Sequence, residues 1–296
     1  MGKTYSPLRY PGGKGKFYKY LIPIFKKNNI NKITYIEPFA GGAGLACELL
    51  IKEKVNKIIL NDYDRSIYAF WYSILNYTEE FCNKILETDI TLAERELQKQ
   101  IQLNKSNVTL LELGFSTFFL NRTNRSGIIK GGPISKNETS GNYPLNCRFN
   151  KENLIVVIKK IASLKNKIEI YNLDAIEFLE IIINEDKDTS FVFFDPPYYH
   201  NGKDLYVNFY KKDDHINLIN AIITNLQDYK WIITYDNCSE IKDIYSYAKI
   251  TRYPKIKTRV YYLSYTAGKA RKASELIYYN NIIIPKLLFK NKSPQR

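Results

Sequence analysis

The sequence has few of the residues that most often build metal sites and disulfide frameworks, and it lacks the long apolar runs of membrane spans. Its 296 residues include two histidines, one methionine and four cysteines. The cysteines are far apart and form no Cys-x-x-Cys pair, which argues against a structural zinc site and against a disulfide scaffold. No run of 18 uncharged apolar residues occurs, and the first residues lack the apolar core of a signal peptide. We therefore expect a cytoplasmic protein with no bound metal and no membrane association.

Acidic residues are scarce relative to basic ones. Asp and Glu number 30 against 44 Lys and Arg, which gives a net charge of +14. Such an excess favours a polyanionic partner, because each cation placed near a phosphate releases condensed counterions. A generally basic, soluble surface would give the same total. Charge alone therefore leaves nucleic-acid binding and plain solubility both open.

Short apolar strands alternate with helices in two parts of the chain. The first strand, Ile33–Glu37, precedes a glycine turn and a helix, and the second, Lys57–Leu60, ends at Asn61-Asp62. The pattern returns with Lys167–Tyr171 and with the fully apolar Phe191–Phe194. A glycine turn between strand and helix, with an acidic end on the next strand, opens a doubly wound α/β fold. We predict a mostly parallel, Rossmann-like sheet.

A mainly helical stretch interrupts this alternation. Residues 79–104 and 108–121 carry apolar residues at helical spacing, 126–148 are rich in Gly, Ser, Asn and Pro, and a helix resumes over 151–164. We predict a catalytic domain in two parts, separated by a helical and hairpin insert and followed by a flexible tail. The four segments are 1–77, 78–164, 165–288 and 289–296.

The tetrapeptide Asp195-Pro196-Pro197-Tyr198 follows the apolar strand and indicates chemistry on an exocyclic amine. The lone pair of such an amine is delocalised into the ring, so methylation needs acceptors that bind both of its N–H groups. Prolines have no N–H of their own, and the Asp195 carboxylate and the Pro196 carbonyl suit that role. Tyr198 offers a ring on which an extruded base can stack. A plain turn at the end of a strand would also explain these residues.

Two further segments suit a bound small molecule. The turn Glu37–Gly44 reads EPFAGGAG, and its glycines let the backbone approach a ligand at a helix N-terminus. Asp62, about twenty residues further on, is placed to bind ribose hydroxyls. It could instead cap the following helix, as could Asp64. The segment Tyr10–Lys14 reads YPGGK; it lacks phosphate-loop spacing but suits a loop that closes over a carboxylate or phosphate.

In this order the motifs resemble those of the Dam-type (D12 class, α-group) DNA adenine-N6 methyltransferases. The resemblance implies S-adenosylmethionine as methyl donor, no metal, and direct in-line transfer to N6 of a flipped adenine in double-stranded DNA. Asp195–Tyr198 would be catalytic. The implied cofactor-binding residues are Tyr10, Lys14, Glu37, Phe39, Gly41, Gly42, Asp62, Asp174 and Asp195. Ala43 stands where the family often has a third glycine.

The insert lies where this family carries its DNA-recognition region, between the ribose-acid strand and the catalytic strand. Phe118–Arg122 and the glycine-rich stretch after it resemble the family's segment before its recognition hairpin. The resemblance implies DNA contacts by Asn121, Arg122, Arg125 and Lys130. Solvated surface cations would explain the last two equally well. A cognate restriction endonuclease as partner and the oligomeric state stay open, with a monomer favoured.

Other chemistries fit the sequence less well. Cytosine-C5 methylation needs a nucleophilic cysteine in a Pro-Cys setting, and none of the four cysteines follows a proline. Cytosine-N4 enzymes usually carry Ser at the position of Asp195, and RNA adenine enzymes commonly carry Asn. Both remain alternatives, as does a catalytically silent DNA-binding relative, against which the intact tetrapeptide argues.

Overall fold

The computed structural model describes residues 5–10, 12–200, 210–251, 256–265, 271–286 and 288. The strands among them are β1 (Thr34–Glu37), β2 (Lys57–Asn61), β3 (Ile168–Tyr171), β4 (Ser190–Phe194), β5 (Lys230–Asp236), β6 (Lys257–Tyr265) and β7 (Arg271–Asn280). They form a mostly parallel sheet in the order β3-β2-β1-β4-β5-β7-β6. β4 is parallel to β1 and β5, and β3 is parallel to β2, whereas β7 is antiparallel to β5 and β6. This order confirms the predicted doubly wound α/β sheet, whose ligands bind beyond the carboxyl ends of the strands.

Helices connect the strands, and local capping fixes several of their ends. They are α1 (Tyr18–Lys27), α2 (Gly44–Ile51), α3 (Arg65–Asn76), α4 (Thr78–Glu87), α5 (Leu92–Leu103), α6 (Leu110–Thr123), α7 (Lys151–Ala162), α8 (Leu179–Ile182), α9 (Lys212–Asn225) and α10 (Ser239–Thr251). The helix predicted over 79–104 is two helices, because the Thr91 side chain accepts a hydrogen bond from Glu94 N and begins α5. Thr109 and Glu112 form a capping box that begins α6.

Sequence reasoning did not predict α1, which contains Pro23. Leu21, Ile24 and Phe25 recur at helical spacing and are buried. The Phe25 ring lies 5.0 Å from the Phe191 ring of β4. Each buried apolar side chain contributes about 1.5–3 kcal/mol, and an interior proline costs about 3 kcal/mol. Packing against the sheet therefore outweighs the proline.

The chain divides into two compact units. The first comprises Met1–Lys16 and Ala40–Leu173, and the second comprises Phe17–Phe39 and Asp174–Arg296. The predicted insert, 78–164, falls within the first unit, and its boundaries stay a prediction. The predicted tail at 289–296 lies outside the described residues. No helix in the described part of the chain is long and apolar enough to cross a membrane.

Aromatic side chains fill the core of the first unit. Phe70, Phe81 and Phe118 are fully buried, and the Phe118 ring lies 6.0 Å from Phe70 and 5.5 Å from Phe81. α3 and α6 approach closely at Gly114, where a Cβ would lie 2.5 Å from the carbonyl oxygen of Ala69. This packing fixes α6, and its last residues include two of the predicted DNA contacts.

Candidate active site

Asp62 lies just beyond β2 and is bound to the glycine turn. Gly41 N donates to Asp62 Oδ2 at 2.8 Å, and Asp64 N donates to Asp62 Oδ1 at 2.9 Å. A carboxylate has about four acceptor positions, so each oxygen retains capacity for a ligand hydroxyl. Asp64, whose side chain accepts from Ser66 N, caps α3. The capping alternative for Asp62 is therefore wrong, and its carboxylate fits a ribose diol.

The protonation of Asp62 is sensitive to its surroundings. Burial, followed by the charge of Asp64, raises the pKa of Asp62 to about 7, and the backbone donors of Asp64 and Gly41 act in the opposite direction. The carboxyl group is therefore partly protonated at neutral pH. Two hydroxyl donors from a ligand would favour its ionised form.

A shallow recess, open to solvent, adjoins Asp62. It is lined by Ala40, Leu60, Asn61, Asp62, Tyr68, Trp71, Ile170 and Tyr171. Its walls are mainly apolar and aromatic, and the Asp62 carboxylate lies among them.

Tyr10 packs directly on the glycine turn. A Cβ at Gly41 would lie 2.6 Å from the Tyr10 ring, and one at Gly42 would lie 2.8 Å from the Tyr10 Cβ. Gly41 has a φ of +46°, and Ala43 has a φ of +41° in the left-handed region that glycine prefers. Ala43 thus follows the backbone path that a third glycine would take. Lys14 donates through Nζ to the carbonyl oxygen of Gly12 at 3.3 Å.

The remaining predicted cofactor residues lie in the second unit. Glu37, 6% exposed at the end of β1, accepts a hydrogen bond from the Tyr35 hydroxyl at 3.0 Å. Phe39 contacts the Tyr210 ring edge-on at 5.9 Å. Asp174 Oδ1 accepts from Ile176 N at 2.8 Å and so begins a turn. Burial and then the charge of Asp174 raise the pKa of Tyr210, which places Asp174 near that ring.

The tetrapeptide leaves the carboxyl end of β4, beside β1. Thr234 Oγ1 donates to Asp195 Oδ1 at 2.7 Å, which fixes one oxygen of the carboxylate. Burial, then Glu37, then Asp195 raise the pKa of Tyr35, so both carboxylates lie near that phenol. Tyr198 is 8% exposed, and its hydroxyl donates to Glu275.

Sequence reasoning missed Thr234 and Glu275. A signal for them exists, since Thr234 interrupts the apolar run of β5 and Glu275 directly precedes the apolar run Leu276–Tyr279 of β7.

The chain matches the sequence profile of the D12 class N6 adenine-specific DNA methyltransferases over residues 10–261. It belongs to this family. The predicted family, enzyme class and reaction on DNA adenine are thereby confirmed, and S-adenosylmethionine is the methyl donor. The Asp62 carboxylate, oriented by two backbone donors and with acceptor positions to spare, suits the ribose hydroxyls of that cofactor, and its contact with them stays a prediction.

Two curated relatives are similar to this chain over a smaller part of its length than the family profile. The Type II methyltransferase M.MjaIII of Methanocaldococcus jannaschii is 26% identical over 206 residues, which are 64% of this chain and 68% of that protein. Modification methylase StsI of Streptococcus sanguinis is 27% identical over 214 residues, which are 67% of this chain but 30% of that protein. The Bacillus cereus O-methyltransferase in complex with SAH has a TM-score of 0.38 at 10% identity, covering 90% of this chain and 80% of that chain. This structural similarity is too weak to support the fold, which rests on the strand order of the sheet.

In this D12 methyltransferase, Asn121 is buried rather than presented to DNA. It is 1% exposed; its Oδ1 accepts from Arg9 N at 2.7 Å, and its Nδ2 donates to the carbonyl oxygens of Arg9 and Gly127. Every polar atom of the side chain is therefore used within the protein. The predicted DNA contact does not fit this arrangement, and Asn121 instead holds the segment before Tyr10 in place.

Arg122 is also buried, at 7% exposure. It donates to the carbonyl oxygens of Pro7 and Arg148. Burial, then Arg9, then Arg148 lower the pKa of Arg122 to about 9, and burial and Arg148 also lower the pKa of Arg9. Arg9 is half-buried and Arg148 is exposed, so the three cations extend from the interior to the surface. Sequence reasoning missed Arg9 and Arg148.

Arg125 and Lys130 lie on an ordered, hairpin-like turn after α6. Asn124 pairs with Pro133, Arg125 N donates to the carbonyl oxygen of Gly132, and Arg95 donates to the Asn124 side chain at 2.7 Å. Both cations are exposed. This placement is compatible with contact with a nucleic acid, and the contact itself stays a prediction.

One group of potential metal ligands occurs within the described residues. The ligand atoms of His200, Cys238 and Glu240 lie within 4.8 Å of one another. Glu240 is in the first turn of α10, and a backbone N–H there lowers its pKa. The positive end of a helix opposes a cation. We assign no metal to this group.

Proposed function

We propose that Asp195 and Pro196 activate the N6 amine of an adenine extruded from duplex DNA. S-adenosylmethionine, when bound, would supply an electrophilic methyl group through cleavage of its S–CH3 bond and leave as S-adenosylhomocysteine. The Asp195 carboxylate and the Pro196 carbonyl accept the two N6–H groups and localise the nitrogen lone pair, while Tyr198 stacks on the base. The observation that carries the proposal is the fixed Asp195 carboxylate at the carboxyl end of β4, bonded to Thr234 at 2.7 Å. The N6 proton leaves by way of Asp195 to solvent.

The same proposal assigns the cofactor's ribose to Asp62 and its amino-acid end to the segment Tyr10–Lys14. Support comes from the two backbone donors that orient the Asp62 carboxylate and from the packing of Tyr10 on Gly41. Glu37, Phe39, Gly42, Asp174 and Asp195 complete the proposed cofactor residues.

We also propose that basic residues near the end of α6 bind phosphates of the DNA backbone. Arg148 is exposed and Arg9 half-buried, whereas Arg122 is buried beside them and adds its charge from within. The charges of the three residues oppose one another, so a phosphate bound at Arg148 would relieve their repulsion. Arg125 and Lys130 are the exposed contacts in this proposal. Asn121 is a structural residue in it.

The names of the curated relatives support a site-specific role. The curated relatives are named as a Type II methyltransferase and a modification methylase. We propose that this chain modifies one DNA sequence as a cytoplasmic monomer and that a cognate restriction endonuclease is its partner.

Replacing Asp195 with Ala tests the amine-activation role. Transfer of labelled methyl groups from S-adenosylmethionine to unmethylated DNA should fall by about 10²- to 10⁴-fold, because the N6–H acceptor is lost. Asp228→Ala, which removes an exposed carboxylate just before β5, is the matched control and should retain activity. Turnover close to wild type in a folded Asp195→Ala protein would contradict the assignment. Tight DNA binding with no transfer by wild-type protein would favour a silent DNA-binding relative.

A further inference from the structure

The turn that follows β4 is held by carboxylates from two neighbouring strands. Asp236 of β5 accepts hydrogen bonds from Tyr199 N at 3.1 Å and from His200 N at 3.2 Å. Glu275 of β7 accepts a hydrogen bond from the Tyr198 hydroxyl. Asp236 and Glu275 are direct partners in the antiparallel register of β5 and β7. The backbone after Tyr198 and the far end of its ring are therefore fixed from one place on the sheet.

Glu275 occupies a position where a carboxylate is costly. It is 2% exposed, and its neighbours in β7, Leu276 and Ile277, are 3% and 0% exposed. A buried carboxylate is unfavourable unless it is hydrogen-bonded, and like charges that face each other on paired strands repel. An apolar side chain would avoid both penalties. The bond to Tyr198 gives a reason for glutamate at this position.

The Tyr198 ring needs such a second anchor. Rotation of an aromatic ring about χ2 has broad energy wells, so attachment through Cβ alone leaves the tilt of the ring loosely set. A hydrogen bond at the hydroxyl fixes the opposite end. Since a misplacement of 1 Å at a reacting centre can lower the rate by about 10²-fold, the tilt of a stacking ring matters for the reaction.

We propose that Glu275 is a positioning residue for the methyl transfer. It holds the Tyr198 hydroxyl so that the ring stacks on the extruded adenine in the orientation that brings N6 to Asp195. The inference rests on the proposed function of the tetrapeptide. Asp236 supports it by fixing the backbone that follows Tyr198.

Three variants test this role by steady-state kinetics. Glu275→Leu removes the acceptor but fills the buried space, Glu275→Gln keeps an acceptor oxygen, and Tyr198→Phe removes the donor. Glu275→Leu and Tyr198→Phe should each lower kcat by about 10- to 100-fold, with KM for S-adenosylmethionine within about twofold of wild type. Glu275→Gln should retain kcat within about fivefold. The double variant Tyr198→Phe/Glu275→Leu should be no slower than either single variant, because both remove the same bond.

Asn280→Leu is the matched control. Asn280 is a buried polar residue at the other end of β7, and its side chain donates to the carbonyl oxygens of Gln227 and Tyr229. This variant should lower the melting temperature and leave kcat unchanged, so it separates general destabilisation from positioning.

The outcomes separate the inference from the function on which it rests. Wild-type kcat in folded Glu275→Leu, or in Tyr198→Phe if the first variant fails to fold, overturns the positioning role alone. Fully multiplicative losses in the double variant overturn it as well. Absence of methyl transfer by the wild-type protein overturns the proposed function and this inference together.

Discussion

At the scale of single residues, two opposing effects act on the ionisation of Asp62: hydrogen bonding favours the carboxylate, and burial disfavours it. Its carboxylate is oriented by Gly41 N and Asp64 N, yet burial and the neighbouring Asp64 charge raise its pKa to about 7. The free protein therefore holds it partly protonated at neutral pH, whereas the proposed contact with two ribose hydroxyls favours the ionised form. Cofactor binding should then be linked to proton release.

The pH dependence of cofactor affinity tests this linkage. Because the ionised form binds and the free-state pKa is about 7, affinity for S-adenosylhomocysteine should rise with pH below 7 and level off above it. The slope should approach about tenfold per pH unit below that pKa. Asp62→Asn should bind more weakly with no such rise. Titration calorimetry from pH 6 to 8.5 measures both, and an unchanged pH profile in Asp62→Asn would contradict the assignment.

The sequence predicted the roles of residues that belong to short local motifs. Asp195 and Asp62 stand in short segments whose order is informative, and the structure places both at the carboxyl ends of strands. Thr234, Glu275 and Arg9 were missed because their roles arise from contacts with residues at least 39 positions away in sequence. Only the folded sheet and the α6 packing create those contacts.

At the scale of elements, the end of α6 is built around buried polar side chains. Asn121 binds the backbone of Arg9 and Gly127, and a Cβ at Gly127 would lie 2.1 Å from the carbonyl oxygen of Arg9. The turn after α6 and the segment before Tyr10 are thus fixed to each other. This explains why an Asn-Arg pair that resembles a DNA contact is internal.

Asn121→Ala should reveal that structural role. It leaves backbone groups of Arg9 and Gly127 without partners in a buried place, so the free energy of unfolding should fall by about 2–4 kcal/mol. Asn76→Ala, which removes an exposed side chain bonded to the carbonyl oxygen of Tyr72, is the control and should change stability little. Denaturant unfolding measures both. A stable Asn121→Ala protein that has lost only DNA binding would restore the predicted DNA contact.

Element boundaries show what periodicity alone can and cannot reveal. The apolar spacing over 79–104 predicted helix correctly, but the break before α5 depends on the side-chain cap of Thr91. α1 was not predicted, because an interior proline such as Pro23 disfavours a helix locally. Packing of Phe25 on β4 stabilises the helix nonetheless. Local rules fail where tertiary contacts are stronger.

At the scale of the whole molecule, charge and fold answer different questions. The alternation of strands and helices predicted the sheet, and the strand order confirmed it. The net charge of +14 favoured a polyanionic partner but left a plainly soluble surface open, and it located no binding site. Location requires the three-dimensional grouping of Arg9, Arg122 and Arg148, which are far apart in the sequence.

The salt dependence of DNA binding tests that grouping. Arg148→Ala should weaken binding to a labelled duplex and reduce the slope of log Kd against log[salt] by about 0.9, the value for one phosphate contact. Affinity for S-adenosylhomocysteine should not change. Lys165→Ala removes an exposed cation just before the amino end of β3 and should keep the wild-type slope. An unchanged slope in Arg148→Ala would exclude a phosphate contact by this residue.

The central claim, methylation of adenine N6 in DNA, is tested most directly by identifying the product. Purified protein should be incubated with S-adenosylmethionine and either unmethylated duplex DNA or RNA, followed by nucleoside mass spectrometry. We predict N6-methyldeoxyadenosine in the DNA from wild-type protein and none from Asp195→Ala. Methylation confined to RNA, or N4-methyldeoxycytidine as the DNA product, would contradict the account.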